Sequence, residues 1–134
     1  MSNSGINAAI VEMAKLARDN GHRLIALTSL DHTRSSSARK VEGPHLADLA
    51  DVVIDNCAPA GDAAVELTPG TRICAVSSFT GVLIAQVLAE LVCRRLLERG
   101  ADVPVFLSAN LTSGDDHNAA LYERYRGRAR PLEP

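Results

Sequence analysis

The chain has 134 residues and a formal net charge of −2, with 46% hydrophobic and 22% charged residues. This length suits one compact domain, and so many aliphatic side chains exclude a chain that is disordered throughout. Nucleic-acid-binding domains usually carry a basic patch and aromatic stacking platforms, whereas this chain is nearly neutral and only 3% aromatic. We therefore expect no nucleic-acid partner.

The cysteine content and the apolar segments bear on the compartment. The three cysteines form no C-x-x-C motif, which favours buried thiols in a reducing compartment over disulfides or a zinc site. The N-terminus lacks the apolar core of a signal peptide. The longest apolar stretch, residues 82–92, is shorter than the roughly 20 residues of a membrane-spanning helix. We expect a cytoplasmic protein with no membrane segment, no metal and no cofactor.

The first predicted element is an amphipathic helix over residues 5–20, which Asn20-Gly21 ends. Residues 23–29 follow with consecutive apolar side chains and no alternation, a pattern typical of a strand buried on both faces. Residues 30–43 are polar and predict a long loop. The apolar face of the predicted helix comprises Ile6, Ile10, Met13 and Ala17.

The rest of the chain continues the alternation of strands and helices. This alternation predicts an α/β fold with an open parallel sheet flanked by helices. We expect one domain over residues 1–127 and a flexible tail over 128–134. The further predicted elements are a short helix at 45–50, strands at 51–55, 63–67 (an edge strand) and 72–77, a long helix at 79–99, an extended piece at 104–107 and a helix at 115–126.

Small polar residues follow the predicted strands where each one ends. The carboxyl ends of parallel strands share one edge of a sheet, where ligands bind. Each such residue alone is more typical of a loop or a helix N-cap. For the set together we favour a ligand-binding edge. Its members are Thr28-Ser29, Asp55-Asn56, Ser77-Ser78 and Ser108-Ala109-Asn110.

The segment Ser2-Asn3-Ser4-Gly5 directly precedes the first predicted helix. A helix N-terminus offers unpaired N–H groups and a partial positive charge, and serine hydroxyls add donors. Gly5 allows close approach of the backbone, so the segment is suited to a phosphate group. An ordinary serine N-cap is the alternative interpretation.

Ser-x-Ser-Gly at the start of a helix resembles the phosphosugar-binding loop of SIS (sugar isomerase) domains. Residues 25–29 resemble the family's next strand, which ends in a Thr/Ser turn, and residues 76–81 resemble a later strand that leads into a long apolar helix. The finer pattern is similar to an uncharacterised branch of the family. The resemblance implies a flavodoxin-like sheet and sugar-phosphate binding by Ser2, Asn3, Ser4, Gly5, Asn7, Thr28, Ser29, Ser77, Ser78 and Thr80.

The sequence departs from the family pattern in two ways. Many sugar-phosphate isomerases have Ser or Thr where this chain has Asn7, whose amide can still donate a hydrogen bond. The strand that should lead into the loop is absent, so the chain resembles the C-terminal part of an SIS domain without its N-terminal strands. An unpaired sheet edge and exposed apolar surface favour self-association, and we expect a homo-oligomer or a marginally stable monomer.

Aldose–ketose isomerisation requires groups that move protons between adjacent carbons, and Glu and His suit that role. We favour His117, which lies at a predicted helix start after a strand-end loop, beside Asp115 and Asp116. A surface histidine in a capped first turn is the alternative. Three adjacent residues do not converge on one metal ion. The full set of candidates is Glu12, His32, His45, Asp62, Glu66 and His117.

Three functions fit this sequence. The first is binding of a sugar phosphate by an SIS domain, with isomerase activity left open because no acid–base pair stands out. The second is a sensing or regulatory module without catalysis. The third is a truncated domain without independent activity.

Overall fold

The computed structural model describes residues 1–35 and 42–128 of a mixed α/β protein. The predicted elements recur in the expected order, with two differences: a short helix lies inside the predicted 30–43 loop, and residues 104–107 form no strand. The elements are α1 (Ala8–Asp19), β1 (Ile25–Thr28), α2 (Leu30–Arg34), α3 (Leu46–Leu49), β2 (Val52–Asp55), β3 (Ala63–Thr68), β4 (Thr71–Ala75), α4 (Val76–Glu98) and α5 (Gly114–Arg124).

Strands β1 and β2 pair in parallel, as predicted. Ile25 lies opposite Val52 and Thr28 opposite Asp55, so the carboxyl ends of the two strands are side by side. Ala26, Leu27 and Thr28 of β1 are buried, which agrees with the unbroken run of apolar residues. This pairing brings the polar residues that follow the two strands to one edge.

The predicted open parallel sheet is not observed beyond these two strands in the described residues. Strands β3 and β4 form a separate antiparallel hairpin, with Thr68 opposite Thr71. Between them, Pro69 and Gly70 occupy the two turn positions, and Gly70 has a φ of 79°. Proline followed by a residue with positive φ satisfies the geometry of a tight turn, which reverses the chain direction.

The described core is small and built from short side chains. Ala14 of α1, Ala26 of β1 and Leu46 of α3 form its centre, with Ile10 and Leu24 among the residues packed around it. Helix α3 packs against both α1 and β1. The buried face of α1 differs from the predicted one, because Val11 and Ala14 are buried while Met13 is 67% exposed.

Helix α4 is long, apolar and open to solvent. It has 23 residues, and Gly81 is its buried residue. Phe79 is 75% exposed and Val82 62% exposed. By length and composition alone α4 is long and apolar enough to cross a membrane, a test that core helices of soluble proteins also pass. The expectation of no membrane segment rested on the apolar stretch at residues 82–92, which is shorter than α4.

The chain divides into two compact units, residues 1–89 and 90–134. In the second unit, the rings of Phe106 and Tyr122 lie with their centroids 5.1 Å apart. Residues 129–134 of the predicted tail lie outside the described residues.

Candidate functional site

Residues Ser2–Gly5, here called the N-terminal loop, lie against the carboxyl end of β1. The Ser2 N–H donates to the Leu27 carbonyl at 3.1 Å, and the Ser29 N–H donates to the Asn3 carbonyl at 2.9 Å. The Thr28 hydroxyl donates to the same Asn3 carbonyl at 3.0 Å. These backbone bonds fix the loop where the sequence predicts a ligand-binding edge.

Gly5 is required by the geometry of the loop. It is buried with a φ of 64°, and a Cβ there would lie 3.1 Å from the Thr28 hydroxyl oxygen. Its N–H donates to the Ser2 hydroxyl at 3.3 Å, and its carbonyl accepts from the Leu46 N–H at 2.8 Å. A side chain at this position would therefore strain the backbone and crowd Thr28.

Thr28 and Ser29 lie beneath the loop. Both are fully buried. The Ser29 hydroxyl donates to the Ala58 carbonyl at 2.6 Å and accepts from the His32 N–H at 3.0 Å. The Thr28 hydroxyl and the Ser29 N–H thus hold the Asn3 carbonyl of the loop. Both side chains are buried and do not face solvent.

Ser4 and Asn7 each carry a side-chain donor that forms no hydrogen bond within the described residues. The Ser4 hydroxyl makes no hydrogen bond with residues 1–35 or 42–128. Asn7 caps α1, since its Oδ1 accepts from the Ala9 N–H at 3.1 Å. Its Nδ2 has no such bond in the described chain. The first turn of α1 carries no acidic residue, so nothing in that turn neutralises the positive end of the helix.

Thr33 of α2, which was not among the predicted site residues, holds the loop. Its hydroxyl lies 2.8 Å from the Ser4 carbonyl and 2.7 Å from the Ser29 carbonyl, and so can donate to either. Ser29 caps α2 and Asp31 lies in the first turn. A serine followed by an acidic residue is a helix-start pattern, and this pattern would have revealed α2.

The residues that follow β2 reach back toward β1. The Asn56 N–H donates to the Thr28 carbonyl at 3.0 Å, and Asp55 Oδ1 accepts from the Leu30 N–H at 3.2 Å. Further along this loop, the Gly61 N–H donates to His32 Nδ1 at 2.7 Å. The parallel pairing of β1 and β2 thus joins the N-terminal loop, α2 and residues 55–61 into one assembly, here called the loop assembly.

Ser77, Ser78 and Thr80 lie at the start of α4. Asp62, with a φ of 68°, accepts through its carboxylate from both the N–H and the hydroxyl of Ser77. The Thr80 hydroxyl donates to the Val76 carbonyl at 2.9 Å. At the N-terminus of α4, Ser77 is therefore bonded to the carboxylate of Asp62. The sequence predicts hydroxyls that bind a ligand at this position.

His117 is engaged within the second unit. Its Nε2 lies 3.0 Å from the Val105 carbonyl oxygen. The neighbouring Asn118 amide bonds both the N–H and the carbonyl of Leu107, each at 2.9 Å. These contacts attach the first turn of α5 to residues 105–107, which agrees with the structural interpretation of His117. Its catalytic role stays a prediction.

The other acid–base candidates have local partners. Glu12 pairs with Lys15 at 2.7 Å on the exposed side of α1, and Glu66 pairs with Arg72 at 3.4 Å within the hairpin. At His45 it is the backbone N–H that donates to Asp48 Oδ2, at 2.8 Å, so this bond caps α3 and does not engage the imidazole. Each of these contacts is local to its own element or hairpin.

Asp51, at the amino end of the β1–β2 pair, has a carboxylate with a lowered pKa. The backbone N–H of Leu24 donates to Asp51 Oδ2 at 2.7 Å and lowers the pKa of Asp51 below its ordinary value. Arg23 and Arg18 lower it further, while partial desolvation opposes them. The Asp51 carboxylate, just before β2, is thus bonded to Leu24, just before β1. This contact lies at the end of the strand pair opposite the loop assembly.

The N-terminal loop lies in the part of the chain that matches a known family. Residues 1–29 match the sequence profile of the SIS domain. The chain is 42% identical over 129 residues to UPF0309 proteins of Brucella canis and Brucella melitensis biotype 2, covering 96% of this chain and 52% of each relative. A UPF0309 protein of Brucella abortus (strain 2308) is 42% identical over 127 residues, covering 94% and 51%. The chain spans about half the length of these relatives. The resemblance to SIS domains is therefore confirmed at residues 1–29, and nearly the whole chain is similar to the uncharacterised UPF0309 proteins.

Proposed function

We propose that the N-terminal loop binds the phosphate group of a sugar phosphate. Two findings about the same residues carry this proposal. The residues that match the SIS profile, 1–29, are those that form the loop, α1 and β1. The same loop is held by backbone bonds at the end of β1, directly before a helix N-terminus.

The electrostatics of the loop suit an anion. Helix α1 has 12 residues, long enough for its dipole to act at its first turn, and that turn has no acidic residue. The Ser4 hydroxyl and Asn7 Nδ2 are donors without partners among the described residues. Asn7 thus supplies a donor at the position where many sugar-phosphate isomerases carry a hydroxyl.

We further propose that the ligand is a small phosphorylated sugar and that the whole protein is a cytoplasmic homo-oligomer without a nucleic-acid partner. Isomerase activity depends on an acid–base pair that the sequence did not single out. Sensing without catalysis is the alternative.

A thermal-shift screen of the purified chain tests the phosphate site. The ligands are sugar phosphates, the same sugars without phosphate, and inorganic phosphate. A ligand present at about a hundred times its Kd stabilises the folded state by about 2.7 kcal/mol, which raises Tm by several degrees. We expect this rise for at least one sugar phosphate and a much smaller one for its unphosphorylated sugar.

Ser4→Ala and Ser113→Ala form a matched pair for this screen. Ser4→Ala removes one donor to a charged ligand and is expected to weaken binding about tenfold or more. Ser113 is exposed and its side chain does not cap α5, so Ser113→Ala should bind as the wild type does. A cooperative melt that no sugar phosphate shifts, or an unchanged affinity in Ser4→Ala, would contradict the proposal. Conversion of the bound sugar, followed by NMR, separates an isomerase from a binding module.

A further inference from the structure

The bond between His32 and Gly61 determines which nitrogen of the imidazole carries a proton. The Gly61 N–H donates to His32 Nδ1 at 2.7 Å, so Nδ1 is an acceptor and carries no hydrogen. The reversed ring would place a carbon against this N–H, which excludes the flipped orientation. The neutral ring therefore carries its proton on Nε2.

His32 lies beside the residues that hold the N-terminal loop. It is in the first turn of α2, where its own N–H is capped by the Ser29 hydroxyl at 3.0 Å. The next residue, Thr33, contacts the Ser4 carbonyl at 2.8 Å. The His32 side chain is half-buried, and its Nε2 bonds to none of the residues in the described chain.

We propose that His32 is a ligand contact, whose Nε2–H donates to an acceptor oxygen in the sugar part of the phosphate ester. Gly61 is the positioning residue, because its N–H selects the tautomer and orients the ring. This inference rests on the proposed function and adds the group that recognises the sugar. In this tautomer Nε2 has no free lone pair, so His32 acts as a neutral donor to a carbonyl or hydroxyl oxygen and not as a base through that nitrogen.

The two nitrogens of His32 can be replaced separately. In His32→Asn the amide oxygen can take the place of Nδ1 and keep the bond from Gly61, while the Nε2–H donor is lost. In His32→Gln the terminal amide nitrogen can take the place of Nε2 and keep the donor, while the acceptor for Gly61 is lost. Exposed His22, which precedes β1, provides the control His22→Asn.

Each variant is titrated with the sugar phosphate that stabilises the wild type most, and its ligand-free Tm is recorded. We expect His32→Asn to keep the wild-type Tm and to bind about tenfold more weakly, as for the loss of one hydrogen bond. His32→Gln should have a lower Tm but bind more tightly than His32→Asn. Wild-type affinity in His32→Asn, or the reverse order of the two affinities, would overturn the proposal and leave the phosphate site standing.

The tautomer is measured independently of any ligand. Long-range ¹H–¹⁵N NMR of the ligand-free wild type should show the Nε2–H tautomer for His32, assigned by comparison with His32→Gln. The Nδ1–H tautomer would overturn the proposal even if sugar phosphates bind. The Nε2–H tautomer together with no response to any sugar phosphate would refute the proposed function, and with it the ligand role of His32.

Discussion

The side-chain amide of Asn56 donates from Nδ2 to Oδ1 of Asn3 at 3.0 Å and so joins the end of β2 to the N-terminal loop. The Ala58 N–H donates to Asn56 Oδ1 at 3.1 Å, which fixes the direction of both amides. Asn3 Nδ2 then remains buried without a partner, and it alone does so among the buried side-chain nitrogens and oxygens of the described residues. Such a buried donor typically costs about 1–3 kcal/mol, a cost that an acceptor or a water molecule would remove.

The first prediction concerns Asn56 itself, which is 8% exposed. Asn56→Ala leaves the Ala58 N–H and Asn3 Oδ1 without partners, so we expect the free energy of unfolding to fall by about 2 kcal/mol or more. Urea unfolding measures this loss. Asn110→Ala, at an exposed turn, should change the stability by less than about 0.5 kcal/mol. Equal stabilities of the two variants would show that the amide pair contributes nothing.

The second prediction concerns Gly5. Gly5→Ala forces an L-residue into the left-handed region, at a cost of roughly 1–2 kcal/mol, and brings its Cβ to 3.1 Å from the Thr28 hydroxyl oxygen. Gly100 has a similar φ of 69° but open space around it, so Gly100→Ala carries the backbone cost alone. We expect the lower Tm in Gly5→Ala, measured by calorimetry. A Tm equal to that of Gly100→Ala would mean that the loop relaxes away from Thr28.

The sequence was sufficient to predict the parallel strand pair and the position of the N-terminal loop. Consecutive apolar residues in β1 require burial on both faces, and parallel pairing then places the strand ends together. The apolar run at 72–77 predicts a buried strand of a parallel sheet, whereas β4 pairs antiparallel with β3. The Pro69-Gly70 turn is the local feature that would have indicated a hairpin.

Other features of the site were beyond prediction from the sequence. The orientation of the Asn3 amide depends on Ala58, which lies far away in the chain. The tautomer of His32 likewise depends on the Gly61 N–H. Both are properties of long-range contacts, so residue type and local spacing carry no information about them.

The third prediction concerns stability in acid. The folded-state pKa of Asp51 lies below its ordinary value of 3.8, chiefly because of the Leu24 N–H. Its contribution to stability is therefore fully present above the ordinary pKa and is lost as the pH falls through the lowered folded-state pKa. We expect the Tm advantage of the wild type over Asp51→Asn to be constant above about pH 5 and to shrink below about pH 4.

Thermal melts from pH 7 to about pH 3 measure this difference. Asp19→Asn is the control for the loss of one exposed carboxylate at the end of α1. An advantage of the wild type that grows as the pH falls would have the wrong sign for a lowered pKa. It would show that the Leu24 N–H does not stabilise the charged form of Asp51.

The fourth prediction concerns the exposed apolar side chains of α4. Phe79 is 75% and Leu83 53% exposed, and Val87 is 47% exposed. Soluble monomers rarely expose apolar surface this continuous, so we expect the purified chain to self-associate with increasing concentration. Sedimentation velocity should show this, and Leu83→Lys combined with Val87→Lys should shift the population toward monomer. Gln86→Lys adds one positive charge to the same helix, where the double variant adds two, and it removes no apolar side chain. It should leave the association unchanged. A wild-type chain that stays monomeric at all concentrations would contradict the prediction. If the chain is instead recovered with membranes, and is released by detergent but not by salt, α4 contacts lipid.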